Sequence, residues 1–167
     1  MKEVSFGEAM RRKYPEWVVL VVTVDAQGKV DIMPAGWAMI ASGKPPMFAV
    51  AVGHTRYTHE LIEKGKEFVI AFPSPGMEDA TLYCGTHSGR DVNKLAETKL
   101  ETVPAKRVKP PLIKGAIINL ECRLDSATRA GDHTIFVGEV LASHIEESIA
   151  KHLVNFGDNH FAIARPV

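Results

Sequence analysis

The sequence has no apolar run long enough to cross a lipid bilayer, and the run at residues 17–24 has only the length of a strand. It also has no excess of one charge, since 20 Lys and Arg residues balance 20 Asp and Glu residues. The N-terminus lacks the apolar segment of a signal peptide. We therefore expect a cytoplasmic protein that has neither a membrane nor a nucleic acid as its partner.

Cysteine is scarce, and the two present, Cys84 and Cys122, are far apart in the chain. This favours a reduced compartment over a disulfide framework. The histidines do not form a metal-binding set, because His54 and His59 are five residues apart and no Cys or carboxylate pairing completes a ligand cluster. We expect no metal site.

Two catalytic signatures are also missing. No Gly-x-Ser-x-Gly elbow or other nucleophile with a base is visible, which argues against a hydrolase. No Rossmann fingerprint is present, so a nicotinamide nucleotide would have to bind in another way.

The remaining composition is that of an ordinary globular protein. A chain of 167 residues, 46% hydrophobic and 24% charged, can bury a real core and fits one domain over residues 1–167.

Strand patterns dominate the chain. Apolar and β-branched runs predict strands at residues 17–24, 29–33, 47–53, 67–72, 116–124 and 134–145. Residues 25–28 read as a hairpin turn, and Pro34 should interrupt the ladder. Helices are expected from an N-cap at Thr58 to Gly65, at 77–83 and at 92–97, while residues 104–111 should be extended and exposed. Many strands and few helices indicate a mainly β protein, a barrel with short helical insertions.

Two polar segments could bind a phosphate. Arg56 and Thr58 stand where a helix should begin, and helix N-termini bind anions through free amides and the helix dipole. Ser88 precedes a glycine that allows close backbone approach, and Lys94 adds a point charge. Ordinary helix capping and solvated side chains are the alternative explanation of both segments. In either case, replacing Arg56 or Lys94 by Ala should leave the fold intact.

A planar ligand could lie against the segment around Trp37, whose neighbours Gly36, Ala38 and Ala41 are small. A buried core Trp is the alternative. His133 follows Gly-Asp at a polar turn, from which it could reach the edge of such a ligand, or it could simply cap the turn.

Taken together and in order, these segments resemble the flavin reductase-like family of FMN-binding split barrels, which includes flavoredoxins. The resemblance spans about residues 14–145. It rests on Gly36-Trp37, Ser42 with Pro45-Pro46, residues 56–61, 67–69, 83–85 and 88–94, and Gly131-Asp132-His133 before residues 135–140.

The resemblance implies a Greek-key split barrel, a homodimer and non-covalently bound FMN near the subunit interface. By matching positions it implies that Trp37 and the backbone up to Ser42 line the flavin ring and ribityl chain, that His133 lies at the ring edge, and that Phe161 packs on the flavin. The full set of implied flavin-binding residues is Gly36, Trp37, Ala38, Met39, Ile40, Ala41, Ser42, Arg56, Thr58, Ser88, Lys94, His133 and Phe161. The chain departs from the family where members often have Asn and Thr, since it has Asp31 and Pro34 there.

Three functions follow as hypotheses. The first is an NAD(P)H:flavin oxidoreductase in which a hydride passes to the flavin, with His133 as the catalytic candidate. The second is a flavoredoxin-like electron carrier that receives electrons from a partner protein. The third is a barrel that binds a ligand without flavin.

Overall fold

Strands make up most of the regular structure in the computed structural model, which describes residues 1–149 and 151–165. The helices are α1 (Phe6–Met10), α2 (Tyr57–Gly65), α3 (Glu78–Thr86) and α4 (Lys94–Thr98). The strands are β1 (Glu16–Trp17), β2 (Val19–Val24), β3 (Val30–Ala35), β4 (Ala38–Gly43), β5 (Pro46–Gly53), β6 (Glu67–Phe72), β7 (Thr102–Val103), β8 (Leu112–Ile113), β9 (Ile118–Ala130), β10 (His133–Ile145), β11 (His152–Gly157) and β12 (His160–Ala164). The predicted mainly β class is confirmed.

The central sheet is antiparallel and has the strand order β3-β2-β6-β9-β10-β5-β4. Its two edge strands, β3 and β4, are consecutive in the chain and are joined only by Gly36 and Trp37. Three residue steps span at most about 11 Å, so the two edges of a seven-stranded sheet must come close together. The sheet therefore curls into a barrel, and Gly36-Trp37 marks its seam.

Both faces of strand β2 are buried, and this explains its unbroken apolar sequence. Val19 and Val21 pack in one hydrophobic cluster with residues such as Phe68 and Phe136. Leu20 and Val22 pack in a second cluster on the opposite face. Because side chains alternate along a strand, a strand buried on both sides loses the usual alternation of apolar and polar residues.

The strand predictions need two corrections. The run at residues 17–24 is not one strand, because Trp17 belongs to β1, which pairs with β11 in a separate three-stranded sheet with β12. Pro34 does not interrupt the ladder, since it lies within β3 opposite Leu20. Because β3 is an edge strand, the missing N–H of Pro34 can face its unpaired side without loss of a ladder bond.

The three predicted helices exist with shifted ends. Helix α2 ends at Gly65 as expected, but its N-cap is Arg56, so the N-cap assignment of Thr58 is wrong. Helix α3 runs on to Thr86, and α4 begins only at Lys94, capped by Asn93. No described helix is long and apolar enough to span a membrane.

The segment 104–111 is neither fully extended nor fully exposed. It bends around the buried carboxylate of Glu121, which accepts hydrogen bonds from the backbone amides of Lys106, Arg107 and Val108. Burial alone would raise the pKa of Glu121, but the amide hydrogen bonds and the contact with His144 outweigh it and lower the pKa. Sequence pattern could not reveal this turn, because its partner lies on strand β9.

The core packing around Gly138 leaves no room for a side chain. A Cβ at this position would stand 2.5 Å from Phe68 Cζ and 2.9 Å from Cys122 Cβ, both buried. We expect Gly138→Ala to lower the free energy of unfolding by about 1–3 kcal/mol through overpacking. Gly43→Ala is the control, since a methyl group at Gly43 would meet no atom within 4 Å. Urea denaturation of both variants tests this, and equal stability would refute the crowding at Gly138.

Candidate functional site

Three adjoining cavities open at the barrel seam, and together we call them the seam groove. The basic cavity, of about 190 Å³, contains Asp31, Arg56, Thr58, Ser88, Arg90 and Lys94 in its wall. The aromatic cavity, of about 160 Å³, contains Gly36, Trp37, Gly53, Arg56 and His133. The C-terminal cavity, of about 310 Å³, contains Tyr14, Gly36, Gly85, Thr86, Asn155 and Phe161.

Shared residues connect these cavities into one groove. Arg56 and Met33 line both the basic and the aromatic cavity. Gly85 lines both the basic and the C-terminal cavity, and Gly36 both the aromatic and the C-terminal cavity. An elongated ligand with one anionic end and one flat end could therefore lie across the seam.

Helix α2 presents its N-terminus to the basic cavity. Arg56 is the N-cap residue and its side chain does not cap the helix, while Tyr57 and Thr58 of the first turn line the cavity. An anion bound there meets the positive end of the helix dipole. Arg56 has no carboxylate within ion-pair distance among residues 1–149 and 151–165, so its guanidinium remains available.

Lys94 and Thr58 lie beneath this cavity rather than at its mouth. Lys94 Nζ is 2.9 Å from Asp31 Oδ1 and donates to the carbonyl of Ile32 at 2.6 Å. Thr58 Oγ1 donates to Asp31 Oδ2 at 2.6 Å. The side chains of Lys94 and Asp31 are only 3% and 2% exposed. The two residues that we predicted as phosphate ligands thus already share an internal partner.

Arg90 is a wall residue that the sequence pattern did not single out, although it lies in the segment 88–94 on which the resemblance rests. Its guanidinium donates to Glu60 Oε2 at 3.1 Å and to the carbonyl of Thr55 at 3.2 Å, and it lies over the Tyr57 ring at 4.9 Å. Hydrogen bonds from Lys64 and then from Arg90 lower the pKa of Glu60. The sequence could not show that Arg90 lines the cavity, because its partners Glu60 and Tyr57 lie on helix α2, about 30 residues earlier in the chain.

The loop before α4 approaches the sheet very closely. The Ser88 hydroxyl accepts a hydrogen bond from the Arg90 amide at 3.2 Å and so closes a tight turn. A Cβ at Gly89 would collide with the carboxylate of Asp31.

Cys84 also lines the basic cavity, and burial raises the pKa of its thiol to about 11, so at neutral pH it stays a thiol. Among the described residues no group of His, Cys, Asp and Glu could hold a metal ion.

Trp37 and His133 form the wall of the aromatic cavity. Their ring centroids are 4.8 Å apart at an interplanar angle of 39°. Trp37 is 53% exposed, so the alternative of a core Trp is wrong for this chain. His133 pairs with Gly53 across strands β10 and β5, and its Nδ1 donates to Asp132 Oδ1 at 2.7 Å. This hydrogen bond lowers the pKa of Asp132 and orients the imidazole with Nε2 toward Gly53.

The other predicted residues fall into three groups. Ala38 and Met39 line a further apolar cavity with Ile135, which shares Gly36, Trp37 and Ala51 with the aromatic cavity. Ile40, Ala41 and Ser42 continue along edge strand β4 and are not among the residues that line the seam groove. Phe161 lies on β12 and does line the groove, together with Tyr14 and Asn155, which went unnoticed in the sequence because the small sheet gives little local signal.

The burial of Lys94 changes what its removal should do. Lys94→Ala would leave Asp31 as an uncompensated buried charge, so we expect a loss of about 3–5 kcal/mol in the free energy of unfolding. The expectation from sequence that this variant keeps its fold intact is corrected accordingly. Lys44→Ala, at an exposed position, is the control and should change stability by less than about 0.5 kcal/mol. Thermal denaturation without ligand provides the measurement, and a Lys94→Ala variant as stable as wild type would contradict the buried pair.

Known proteins of similar sequence match most of this chain. A protein of Archaeoglobus fulgidus is 41% identical over 128 residues, which cover 77% of this chain and 71% of that protein. The NADH-dependent FAD reductase of Streptomyces globisporus is 28% identical over 135 residues, which cover 80% of this chain and 74% of the enzyme.

Solved structures share the whole fold. The FMN-binding protein of Thermus thermophilus superposes with a TM-score of 0.86 at 26% identity, covering 99% of this chain and 94% of that one. The flavoredoxin of Methanosarcina acetivorans has a TM-score of 0.86 at 28% identity, covering 100% and 92%. The predicted split-barrel architecture is thereby confirmed. The family model for the flavin reductase like domain matches residues 10–164, and the chain belongs to this family.

Proposed function

We propose that this protein binds FMN in the seam groove and acts as an NAD(P)H-dependent flavin oxidoreductase. The observation that carries the proposal is the polarity of one continuous groove: Arg56 joins a basic cavity at a helix N-terminus to an aromatic cavity at Trp37 and His133. That order of chemistry matches a ligand with a phosphate at one end and a planar ring at the other. The family membership and the reductase relative support the same assignment.

The residues present fit FMN. The first turn of α2 has no capping side chain, which leaves its amides available for a phosphate, and Arg56 and Ser88 stand beside it. Trp37, Gly36 and Phe161 would lie along the ring and its ribityl chain. When bound, the flavin supplies the electron-accepting ring that takes a hydride from the nicotinamide. The protein holds the two reactants together and excludes water from them.

His133 has the clearest proposed part in the reaction. Because Nδ1 donates to Asp132, the tautomer is set and Nε2 is left for the groove. In the imidazolium form Nε2 would donate a hydrogen bond and favour negative charge at the edge of a bound ring. No other acid or base in the groove is needed for hydride transfer.

The visible spectrum tests the proposed function directly. Purified protein loaded with FMN should show flavin absorbance, which anaerobic addition of NADH or NADPH should bleach within seconds. Calorimetric titration should give a lower Kd for FMN than for FAD, even though a relative is a FAD reductase. A protein that binds neither flavin would refute the proposal.

The second candidate is an electron carrier of the flavoredoxin kind, which the likeness to the Methanosarcina acetivorans protein favours. It uses the same groove but takes electrons from a partner protein. Flavin that binds tightly, is reduced by dithionite and is not reduced by either nicotinamide would support this candidate over the enzyme.

A cytoplasmic location remains a prediction, based on the two cysteines, which are free and far apart in the chain.

We also propose a homodimer that uses edge strand β4. Met39 and Ile40 are 63% and 78% exposed on this edge, next to the half-exposed Trp37. Exposed apolar residues on an unpaired edge are unfavourable in water and favour association. Sedimentation equilibrium at micromolar concentration would give twice the chain mass of 18.3 kDa if this is right, and the chain mass if it is wrong.

Arg56→Ala should weaken FMN binding without a matching effect on riboflavin. A charge-assisted contact to phosphate contributes about 1.5–3 kcal/mol, so the Kd for FMN should rise about tenfold or more. Riboflavin has no phosphate, and its Kd should change little. Arg107→Ala is the control, since only the backbone of Arg107 makes a described hydrogen bond. Equal losses for both flavins would place Arg56 at the ring instead of the phosphate.

His133→Ala should slow flavin reduction more than it weakens the fold. His133 is partly exposed at the start of β10, so its truncation removes little core packing. Loss of one donor to developing charge costs about 10²–10³ in rate where that donor is fully used, so a slower stopped-flow reduction of FMN-loaded protein is expected. His133→Gln, which keeps a donor, should recover part of the rate. Unchanged reduction with a lowered melting temperature would show that His133 only caps the turn.

A further inference from the structure

The basic cavity carries less net charge than its residues suggest. Three cationic side chains line it, Arg56, Arg90 and Lys94. Arg90 is paired with Glu60, and Lys94 with Asp31, which lines the cavity as well. We infer that Asp31 determines how tightly this cavity holds the phosphate of its ligand, because it neutralises Lys94 from within. The inference rests on the proposed function and adds a specificity-determining residue to it.

The geometry makes the pairing a fixed property of the folded chain. Both charged side chains are almost fully buried, and their charged atoms are 2.9 Å apart. Asp31 is held from the other side by Thr58, and Lys94 by the carbonyl of Ile32. Gly89 fits over the carboxylate only because it has no side chain. Neither partner can turn toward a ligand without leaving the other buried and unpaired, which is costly.

This arrangement has a direct consequence for an anion in the cavity. Seen from the cavity, the lysine attracts the phosphate and the carboxylate repels it, and because the two charges are adjacent their effects largely cancel. Arg56 and the N-terminus of α2 then provide most of the attraction. Loss of the Asp31 carboxylate charge would therefore strengthen the attraction of this cavity for the phosphate of a flavin.

Replacing Asp31 by Asn tests this with minimal change of shape. An Asn oxygen can still accept the hydrogen bond from Thr58, while the negative charge is lost. Lys94 then has an uncompensated charge that a bound phosphate would satisfy. We expect Asp31→Asn to lower the melting temperature of the flavin-free protein and to lower the Kd for FMN by about tenfold or more, with riboflavin within about twofold of wild type.

The double variant Asp31→Asn with Lys94→Met removes both charges and keeps the volume. Because a neutral replacement of a buried ion pair is usually tolerated, it should fold even if the single variant does not. Its ratio of FMN to riboflavin affinity should stay within about threefold of wild type, since a neutral pair has been exchanged for neutral side chains. Asp125→Asn, at an exposed site on β9, controls for a general gain of positive charge and should leave both affinities unchanged.

The outcomes separate the inference from the proposed function. FMN affinity that rises only in Asp31→Asn, and is unchanged in the double variant, supports the inference. A double variant that loses FMN affinity about tenfold while keeping riboflavin would show that Lys94 contacts the phosphate directly and would overturn it. The inference would also fail if Asp31→Asn folds without tightening FMN. Wild-type protein that binds neither FMN nor riboflavin would overturn the proposed function, and this inference with it.

Discussion

Barrel closure is the constraint on which the site depends. Strands β3 and β4 form opposite edges of the central sheet, yet only Gly36 and Trp37 connect them. The chain cannot satisfy this connection with an open sheet, so the edges meet and a seam forms. Along that seam the edge strands β3 and β4 are not hydrogen-bonded to each other, and the groove lies beside this gap in the barrel wall. The connection between β3 and β4 therefore fixes where the groove runs, while the start of α2 and the loop before α4 complete its basic end.

Two buried carboxylates connect segments that are far apart in the sequence. Asp31 connects the edge strand β3 to helix α4 through Lys94 and to helix α2 through Thr58. Glu121 connects the central strand β9 to the bend at 106–108 and to His144. Buried charges are costly to desolvate, so such groups are retained only where charged or polar partners compensate them. In both cases the partners come from segments distant in sequence, and the carboxylate fixes where such a segment meets the barrel.

The groove has an aromatic end that is fixed by the barrel and a basic end whose positive charge is partly balanced. Trp37, His133 and Gly53 belong to strands or their direct continuation, so the aromatic end is set by the barrel itself. The basic end is assembled from the start of α2 and the loop before α4, and two of its three cations are balanced by carboxylates. In the proposed site, the charge available to a flavin phosphate therefore comes mainly from Arg56 and the N-terminus of α2.

The sequence by itself determined the class of fold and six of the seven strands of the central sheet, and it predicted several of the segments that line the seam groove. Apolar runs buried on both faces, such as β2 and β6, are visible as composition because solvent never contacts them, and the ordered set of short motifs identified the family. Arg56 and His133 could be proposed from the sequence because each stands at the end of a regular element, where a local pattern exists. The sequence did not reveal the small sheet of β1, β11 and β12, since strands of two to six residues without clear alternation give little signal.

Only the tertiary structure decided the rest. In the structure the N-cap of α2 is Arg56 and not Thr58, and Pro34 lies inside an edge strand. Residues 104–111 bend around the carboxylate of Glu121. Above all, the tertiary structure gave Lys94 an internal partner, so that a residue with the sequence appearance of a phosphate ligand became half of a buried ion pair. Each of these depends on a contact between residues far apart in the chain. Local pattern reports which face of an element is apolar, whereas the partner of a charge is set by which elements the closed barrel brings together.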